Sequence, residues 1–181
     1  MWAVLALAVV VVAGGIAALG GFSDVPDEKL PVIELGEVQH GSQVDTTITS
    51  VALSTRAPGQ TFDADEGKQY LVVSATLLNT TKTPTTLTSE LVRVLIEGEV
   101  SANDPGSFVD PRTGNQVGFL QPGIPLDAVF SWEIDDTVAE GDDVIVGVFD
   151  HFPIDDPRYS DGAYSPAEPV ARILTTVGAH G

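Results

Sequence analysis

The first 22 residues form an unbroken apolar stretch without a single charged side chain. A helix of about 20 apolar residues spans the roughly 30 Å hydrocarbon core of a bilayer, so Met1–Phe22 has the length of a transmembrane helix. Trp2 and Phe22 lie near its two ends, where aromatic rings favour the membrane interface. This pattern predicts an N-terminal membrane segment that places the rest of the chain outside the cytoplasm.

The same stretch also carries a feature of a cleavable signal peptide. Ala18-Leu-Gly20 offers small residues at the spacing of a cleavage site. The apolar stretch is nevertheless longer than the usual signal core of about 7 to 15 residues, and no basic residue precedes it. The length favours an uncleaved single-pass anchor, with cleavage and secretion as the alternative.

After a polar, proline-bounded stalk at 23–35, the chain consists of short β-type runs separated by turn residues. Apolar residues alternate with polar ones or are β-branched, and no helical period occurs. Leu126–Ile134 shows the alternation best, with Leu126, Ala128, Phe130, Trp132 and Ile134 on one face. The predicted strands are Val44–Leu53, Tyr70–Leu78, Leu91–Ile96, Val117–Leu120, Leu126–Ile134, Val144–Phe149 and Val170–Val177.

Seven short strands with turn signals between them are typical of an all-β, antiparallel two-sheet sandwich, here predicted over residues 36–178 with a tail at 179–181. Two proline- and glycine-rich loops are long, 101–114 and 151–169. Loops of this length on a rigid sandwich commonly carry recognition. The second loop region concentrates aromatic, proline and arginine side chains that either fold onto the sheet or form a partner-binding surface. They are Phe149, Phe152, Pro153, Pro157, Arg158 and Tyr159.

Three stretches carry a resemblance to a known family: the run Gly67–Asn79, the turn Leu120-Gln-Pro-Gly123, and the strand containing Phe130-Ser-Trp132. The chain resembles the immunoglobulin-like domains of unknown function found in exported and lipid-anchored proteins of Gram-positive bacteria, over residues 36–178. The resemblance implies an immunoglobulin-like β-sandwich of about seven strands and an extracytoplasmic location. It brings no catalytic residues with it.

Charge and cysteine content exclude several functions. The chain has 8 basic and 26 acidic residues, a net charge of −18, and no cysteine. Such a surface repels nucleic acid, whose binding requires lysine and arginine against phosphate. Without cysteine there is no disulfide, no thiolate metal site and no lipid-bearing cysteine anchor. The excess negative charge is typical of a solvated surface, or else attracts cations or a basic partner.

A search for catalytic motifs returns none. His40, His151 and His180 have no partner at the spacing of a zinc-binding helix, and the serine-hydrolase elbow is missing. Ser107 and Ser160 lie in turn sequences, and Asn79-Thr-Thr81 matches a glycosylation acceptor. We therefore predict no catalytic, cofactor-binding or metal residue, and no cofactor.

Acidic loop residues supply the alternative of a calcium-binding domain or a metal-dependent enzyme. Asp63-Ala-Asp65-Glu66-Gly67 imitates the opening of a calcium loop, but the pattern fails because a strand follows. The pairs at 135–136, 142–143 and 155–156 lie at strand ends, where aspartate favours turns.

The sequence as a whole predicts a non-enzymatic, membrane-tethered extracytoplasmic binding or accessory module, such as a subunit of a membrane protein complex. Its expected partners are other membrane or cell-wall proteins, with no role on nucleic acid.

Overall fold

The computed structural model describes residues 30–86, 88–96, 99–100, 105, 107–154 and 164–181. The predicted membrane segment Met1–Phe22 and residues 23–29 of the predicted stalk lie outside these residues. Within the described part of the chain, no helix has the length and apolar character needed to cross a bilayer.

The described chain is all-β, as predicted, and every predicted strand is present. The strands are β1 (Val32–Ile33), β2 (Val38–Gln39), β3 (Val44–Ser54), β4 (Lys68–Asn79), β5 (Thr85–Thr86), β6 (Val92–Ile96), β7 (Glu99–Val100), β8 (Ser107–Val109), β9 (Phe119–Leu120), β10 (Pro125–Asp135), β11 (Asp143–Asp150) and β12 (Glu168–Thr176). A 3₁₀ turn, Ser89–Leu91, precedes β6. The strands that were not predicted (β1, β2, β5, β7 and β8) have two or three residues, too few to show an alternating pattern.

Two five-stranded sheets form a β-sandwich. The β4 sheet has the order β2-β3-β4-β10-β8, and the β11 sheet has the order β1-β12-β11-β6-β7. Long antiparallel ladders join β3 to β4 and β4 to β10, while β1 runs parallel to β12. Strands β5 and β9 pair separately at one end of the sandwich.

The core lies between the two sheets and consists of the alternate residues that each strand turns inward. On β10 the predicted apolar face is confirmed: Phe130, Trp132 and Ile134 are buried. The rings of Phe130 and Trp132 stack with centroids 6.3 Å apart, and Phe108 of β8 stacks on Phe130 at 4.6 Å. The β11 sheet supplies mainly valines and isoleucine from the opposite side.

The ordered domain extends beyond both predicted boundaries. Strand β1 lies inside the predicted stalk at 23–35, yet it pairs with β12 through Val32 and Ile33. The predicted tail at 179–181 also joins the structure, because His180 bridges Ser50 and the Gly181 N–H donates to the Thr49 carbonyl at 2.9 Å. Both ends therefore cover backbone groups of outer strands that would otherwise stay unpaired.

Candidate functional site

A cleft of about 580 Å³ opens at one end of the sandwich, where β4 and β11 end and β3 begins. Four segments meet there: the turn before β3, the segment after β4, the region of the 3₁₀ turn, and the two described ends of the loop between β11 and β12. The lining side chains are mostly hydroxyl-bearing. They are Gln43, Val44, Thr81, Thr83, Pro84, Thr85, Thr86, Thr88, Leu91, Asp150, His151, Tyr164 and Ser165.

Asn79 at the end of β4 sets the course of the threonine-rich segment that follows. Its buried amide nitrogen donates to the carbonyls of Thr83 at 2.8 Å and Leu120 at 2.9 Å. Its amide oxygen accepts from the N–H and the hydroxyl of Thr81, each at 2.8 Å. These bonds fold the segment across the end of the sandwich. Because the Asn79 side chain is fully buried, the Asn79-Thr-Thr81 motif offers no accessible nitrogen to a glycan in the folded protein.

Asp150 ends β11 and fastens the turn before β3. Its carboxylate accepts from the Ser42 N–H at 2.6 Å and from the Ser42 hydroxyl at 3.2 Å. The single proton of the Ser42 hydroxyl is shared between this carboxylate and the His151 carbonyl, to which the hydroxyl lies closer. Gly41 permits this approach, since a Cβ there would lie 2.4 Å from the Val44 carbonyl oxygen. Because the Asp150 carboxylate is buried and hydrogen-bonded to Ser42, it stabilises the turn before β3 and is not free to bind a ligand.

His151 clamps the opposite wall of the cleft. Its Nδ1 lies 2.8 Å from the Ser165 carbonyl, which can only accept, so Nδ1 carries a proton. Its Nε2 lies 3.2 Å from the Thr88 hydroxyl and 4.0 Å from a Glu90 carboxylate oxygen. In the neutral ring, Nε2 accepts from Thr88. The imidazole thus joins the segment before β6 to the loop before β12.

Serine, histidine and carboxylates lie close together in the cleft, but not in the order that covalent catalysis uses. In a hydrolase triad, one imidazole nitrogen faces the nucleophile and the other faces the carboxylate. The Ser42 hydroxyl faces Asp150 and a backbone carbonyl instead of the imidazole. The Thr88 hydroxyl and the Glu90 carboxylate lie on the same nitrogen of His151. The arrangement of these described residues is one of structural clamps.

The polar side chains of the cleft that take no part in these structural hydrogen bonds are uncharged. In the described structure, the side chains of Gln43, Thr83, Thr86 and Tyr164 have no hydrogen-bond partner, so they are available to a ligand. Tyr164 is 41% exposed, and Phe119, 64% exposed, lies on β9 directly opposite Thr86 on β5. The cleft therefore combines uncharged hydrogen-bonding groups with the exposed ring of Tyr164, and Phe119 lies on the strand beside it.

The described acidic residues considered as calcium ligands lie at the opposite end of the sandwich from the cleft, where the Asp136 N–H donates to the Gly67 carbonyl at 3.1 Å. Asp63 pairs with Arg56 at 2.8 Å, and Asp135 pairs with Lys68 at 2.6 Å. The hydrogen bond to Asp135 and the charge of that carboxylate raise the pKa of the Lys68 ammonium above its ordinary value. No group of three or more His, Asp or Glu side chains that could hold a metal occurs within the described residues. The pair at 155–156 lies outside them.

The other residues weighed from the sequence are dispersed. His40 is exposed and contacts Asp45 at 3.0 Å, and His180 belongs to the bridge to β3. Ser107 begins β8. Phe149 lies beneath the Arg93 guanidinium at 4.9 Å. Ser160 and the loop residues Pro157, Arg158 and Tyr159 lie outside the described residues.

The sequence does not bring together the residues that line the cleft. His151 is a candidate there only as an isolated histidine, and Thr81 only as part of a glycosylation motif. One signal was available: six of the nine residues from Thr80 to Thr88 are threonines. A surface turn does not require so many hydroxyl groups with β-branched side chains, which are more usual in strands.

Comparisons with known proteins are limited to structure. No family model and no curated protein matches the chain. An uncharacterized β-sandwich protein from Clostridium difficile 630 is similar in structure, with a TM-score of 0.53 and 17% identity, covering 83% of this chain and 95% of that one. A candidate lipoprotein of Bacillus subtilis has a TM-score of 0.48 at 13% identity, over 80% of this chain and 38% of that one. A conserved hypothetical protein from Bacillus anthracis has a TM-score of 0.45 at 16% identity, over 76% and 94%. The first likeness shows the β-sandwich fold.

Proposed function

We propose that the chain is an extracytoplasmic binding module, tethered to the membrane by residues 1–22, whose cleft holds a neutral, hydroxyl-rich ligand such as an oligosaccharide without transforming it. The observation that carries the proposal is the lining of the cleft. The free polar groups of the lining are uncharged, and its one acidic residue, Asp150, is hydrogen-bonded to Ser42, while the Glu90 carboxylate lies beside the lining, 4.0 Å from His151 Nε2.

The charge of the lining indicates the class of ligand. The chain carries 26 acidic residues, yet none of the residues that line the cleft presents a free carboxylate to attract a cation, and the surrounding negative field disfavours an anion. Hydroxyl and amide groups each donate and accept, which matches the hydroxyl groups of a sugar. The exposed rings of Tyr164 and Phe119 supply apolar contact area beside them, as ligand sites generally require.

The strand order supports the immunoglobulin-like interpretation of the sandwich. In the immunoglobulin topology, strands A, B, E and D form one sheet and strands C, F and G form the other. Assigning β3, β4, β6, β8, β10, β11 and β12 to A through G reproduces both sheets, β3-β4-β10-β8 and β12-β11-β6. Loops at the ends of such sandwiches are the usual sites of recognition, and the cleft lies at one of these ends.

Binding of N-acetylglucosamine tetramer to the 181-residue chain, measured by isothermal titration calorimetry, tests the cleft. We expect saturable binding, weakened about five- to tenfold by Thr86→Val, which removes one hydroxyl while keeping the volume. Tyr164→Ala should weaken it further, because the ring is also lost. Thr47→Val, the same change on the outward face of β3, serves as the control and should bind like the wild type. If neither the tetramer nor cellotetraose binds at millimolar concentration, or if Thr86→Val binds like wild type, the proposed site is wrong.

The mass of the chain recovered from membrane and medium fractions of expressing cells tests the tether. We expect the chain in the membrane fraction with residues 1–22 retained, because the apolar stretch is long enough to span the bilayer. A mature form in the medium that begins after Gly20 would show instead that the segment is a cleaved signal.

A further inference from the structure

The outward face of the β11 sheet carries a row of apolar side chains, as a surface that contacts another molecule does. Outward residues of a sandwich sheet are normally polar. Here one row across three strands consists of Leu95, Ile145 and Leu174, which pair in register. Leu174 is 55% exposed, and Val32 on the neighbouring β1 is 54% exposed. Ile145 and Leu174 also line a depression of about 370 Å³ at one side of the row.

The β4 sheet provides the internal comparison, because its outward positions are mixed, with Val72 and Leu78 of β4 among polar residues. On β4 the outward residues include Ser74 and Thr76, and on β10 they include Asp127 and Glu133. Thr76 and Asp127 are hydrogen-bonded to each other at 3.0 Å. The in-register row of three large aliphatic side chains is therefore what distinguishes the outward face of the β11 sheet.

Two arginines lie in the row next to the apolar one. Arg93 on β6 and Arg172 on β12 both pair in register with Gly147 on β11, so two strand spacings, about 10 Å, separate their backbones. Both Nε atoms are buried without a hydrogen-bond partner in the described structure. Arg93 additionally stacks on the Phe149 ring.

These two arginines differ from the other arginines that the structure describes. Arg56 and Arg112 each pair with an aspartate of the same chain. Arg93 and Arg172 have no carboxylate within ion-pair distance among the described residues, although acidic residues outnumber basic ones more than threefold. A guanidinium group that has no carboxylate partner in its own chain can donate from its terminal nitrogens to a carboxylate of another molecule.

We infer that the outward face of the β11 sheet, made by Leu95, Ile145, Leu174, Arg93 and Arg172, is a docking surface for a different protein that presents carboxylates beside apolar side chains. Charge complementarity selects this occupant. A second copy docked through the same face is the competing occupant, because Asp143 also lies at an outward position of β11, and the identity of the crosslinked adduct distinguishes the two. An anionic membrane surface is repelled by the net charge of −18.

The inference goes beyond the proposed function, because docking on the sheet face and binding in the cleft use different residues. It depends on the proposed function only in placing the partner outside the cytoplasm. If the wild-type chain binds ligand in the cleft but no partner on the sheet face, this inference alone is wrong. If it binds a partner on the sheet face but no ligand in the cleft, the proposed cleft alone is wrong.

Site-specific photo-crosslinking in the native host tests the docking surface. A photoreactive phenylalanine analogue replaces Leu174 in the 181-residue chain, and the same analogue at Thr47, on the outward face of the β4 sheet, is the control. We expect one protein adduct from position 174 and none from position 47. The double variant Arg93→Gln/Arg172→Gln should lower its yield about tenfold or more, since truncating one member of a buried charge pair strongly weakens an interface.

Mass spectrometry of the adduct decides what occupies the face. Three results together support the inference. The crosslinked segment of the partner contains Asp or Glu, Arg172→Glu in this chain abolishes the adduct, and replacing that acidic residue of the partner by Lys restores it. Circular dichroism of each arginine variant shows whether it folds, and Arg93→Lys/Arg172→Lys provides a variant with the charge retained and the guanidinium fork lost. An adduct between two copies, an adduct to lipid, the same yield in the folded double variant, or no adduct at all would each overturn the inference.

Discussion

Replacing Trp132 by alanine is expected to lower the free energy of unfolding by about 3–5 kcal/mol, the usual cost of removing a large aromatic side chain from a core. Trp132 is 1% exposed, and it stacks on Phe130 in the middle of the inner face of β10. The two sheets meet at this point, so the space left by the ring cannot close without moving both sheets. Urea denaturation followed by far-ultraviolet circular dichroism measures the change.

Trp132→Phe is the matched control, and its expected cost is much smaller, about 1 kcal/mol. The indole Nε1 is buried without a hydrogen-bond partner in the described structure, so removing it gives up no bond and relieves an unpaired donor. The phenyl ring keeps most of the contact with Phe130. If Trp132→Phe destabilised the chain as much as Trp132→Ala, the indole nitrogen would have to contribute a polar interaction.

Replacing Asn79 by aspartate is expected to lower the free energy of unfolding by about 3 kcal/mol at neutral pH. The amide nitrogen that donates to the Thr83 and Leu120 carbonyls would become a carboxylate oxygen facing two acceptors. The site is fully buried, so water cannot replace the lost donors. Because Asn79 also orders the threonine-rich segment, the variant should lose ligand binding in the cleft together with stability.

This destabilisation should depend on pH in a defined direction. Burial and the facing carbonyls would raise the pKa of the introduced carboxyl in the folded state above its unfolded value of about 3.9. The folded variant then takes up a proton as pH falls, so its loss in free energy of unfolding relative to the wild type should be smaller at about pH 5 than at about pH 7.5.

Asn115→Asp is the control for Asn79→Asp. Asn115 is exposed and its side chain makes no hydrogen bond in the described structure, so the change should cost less than about 0.5 kcal/mol. Equal losses in the two variants would contradict the role assigned to Asn79.

The strands could be predicted from the sequence because burial imposes a local pattern. A strand with one face in the core shows an apolar residue at every second position, as Phe130, Trp132 and Ile134 do. Strands of two residues carry no such pattern, and β1 was consequently assigned to the stalk. Its place in the sheet depends on pairing with β12, about 140 residues later in the chain.

The cleft could not be predicted, because its contacts join residues that are far apart in the chain. Ser42 and Asp150 are separated by 108 positions, and Thr88 and His151 by 63. Each of these residues has an ordinary role in a turn when considered alone. His151 was examined for a partner at helical spacing, whereas its partners come from a 3₁₀ turn and a loop. Sequence adjacency is a poor guide to a site assembled at the end of a sandwich.

The two proposed surfaces lie on different parts of the domain. The cleft lies at the end of the sandwich and is neutral, whereas the outward face of the β11 sheet is apolar with two arginines. Asn79 and Asp150 shape the first surface through the backbone. On the outward face of the β11 sheet, the register of neighbouring strands brings the apolar residues and the arginines together. Ligand and partner could therefore bind at the same time, because the two surfaces share no residue.

A residue-resolved NMR titration of the ¹⁵N-labelled 181-residue chain with N-acetylglucosamine tetramer tests the central claim most directly, because one sample reports both the binding site and the state of the ligand. We expect saturable shifts at the amides of Thr83, Thr86, Tyr164 and Ser165, little change on the outward faces of the sheets, and tetramer signals that stay unchanged over time. Shifts confined to residues outside the cleft, no shift at millimolar tetramer, or conversion of the tetramer to shorter sugars would contradict it.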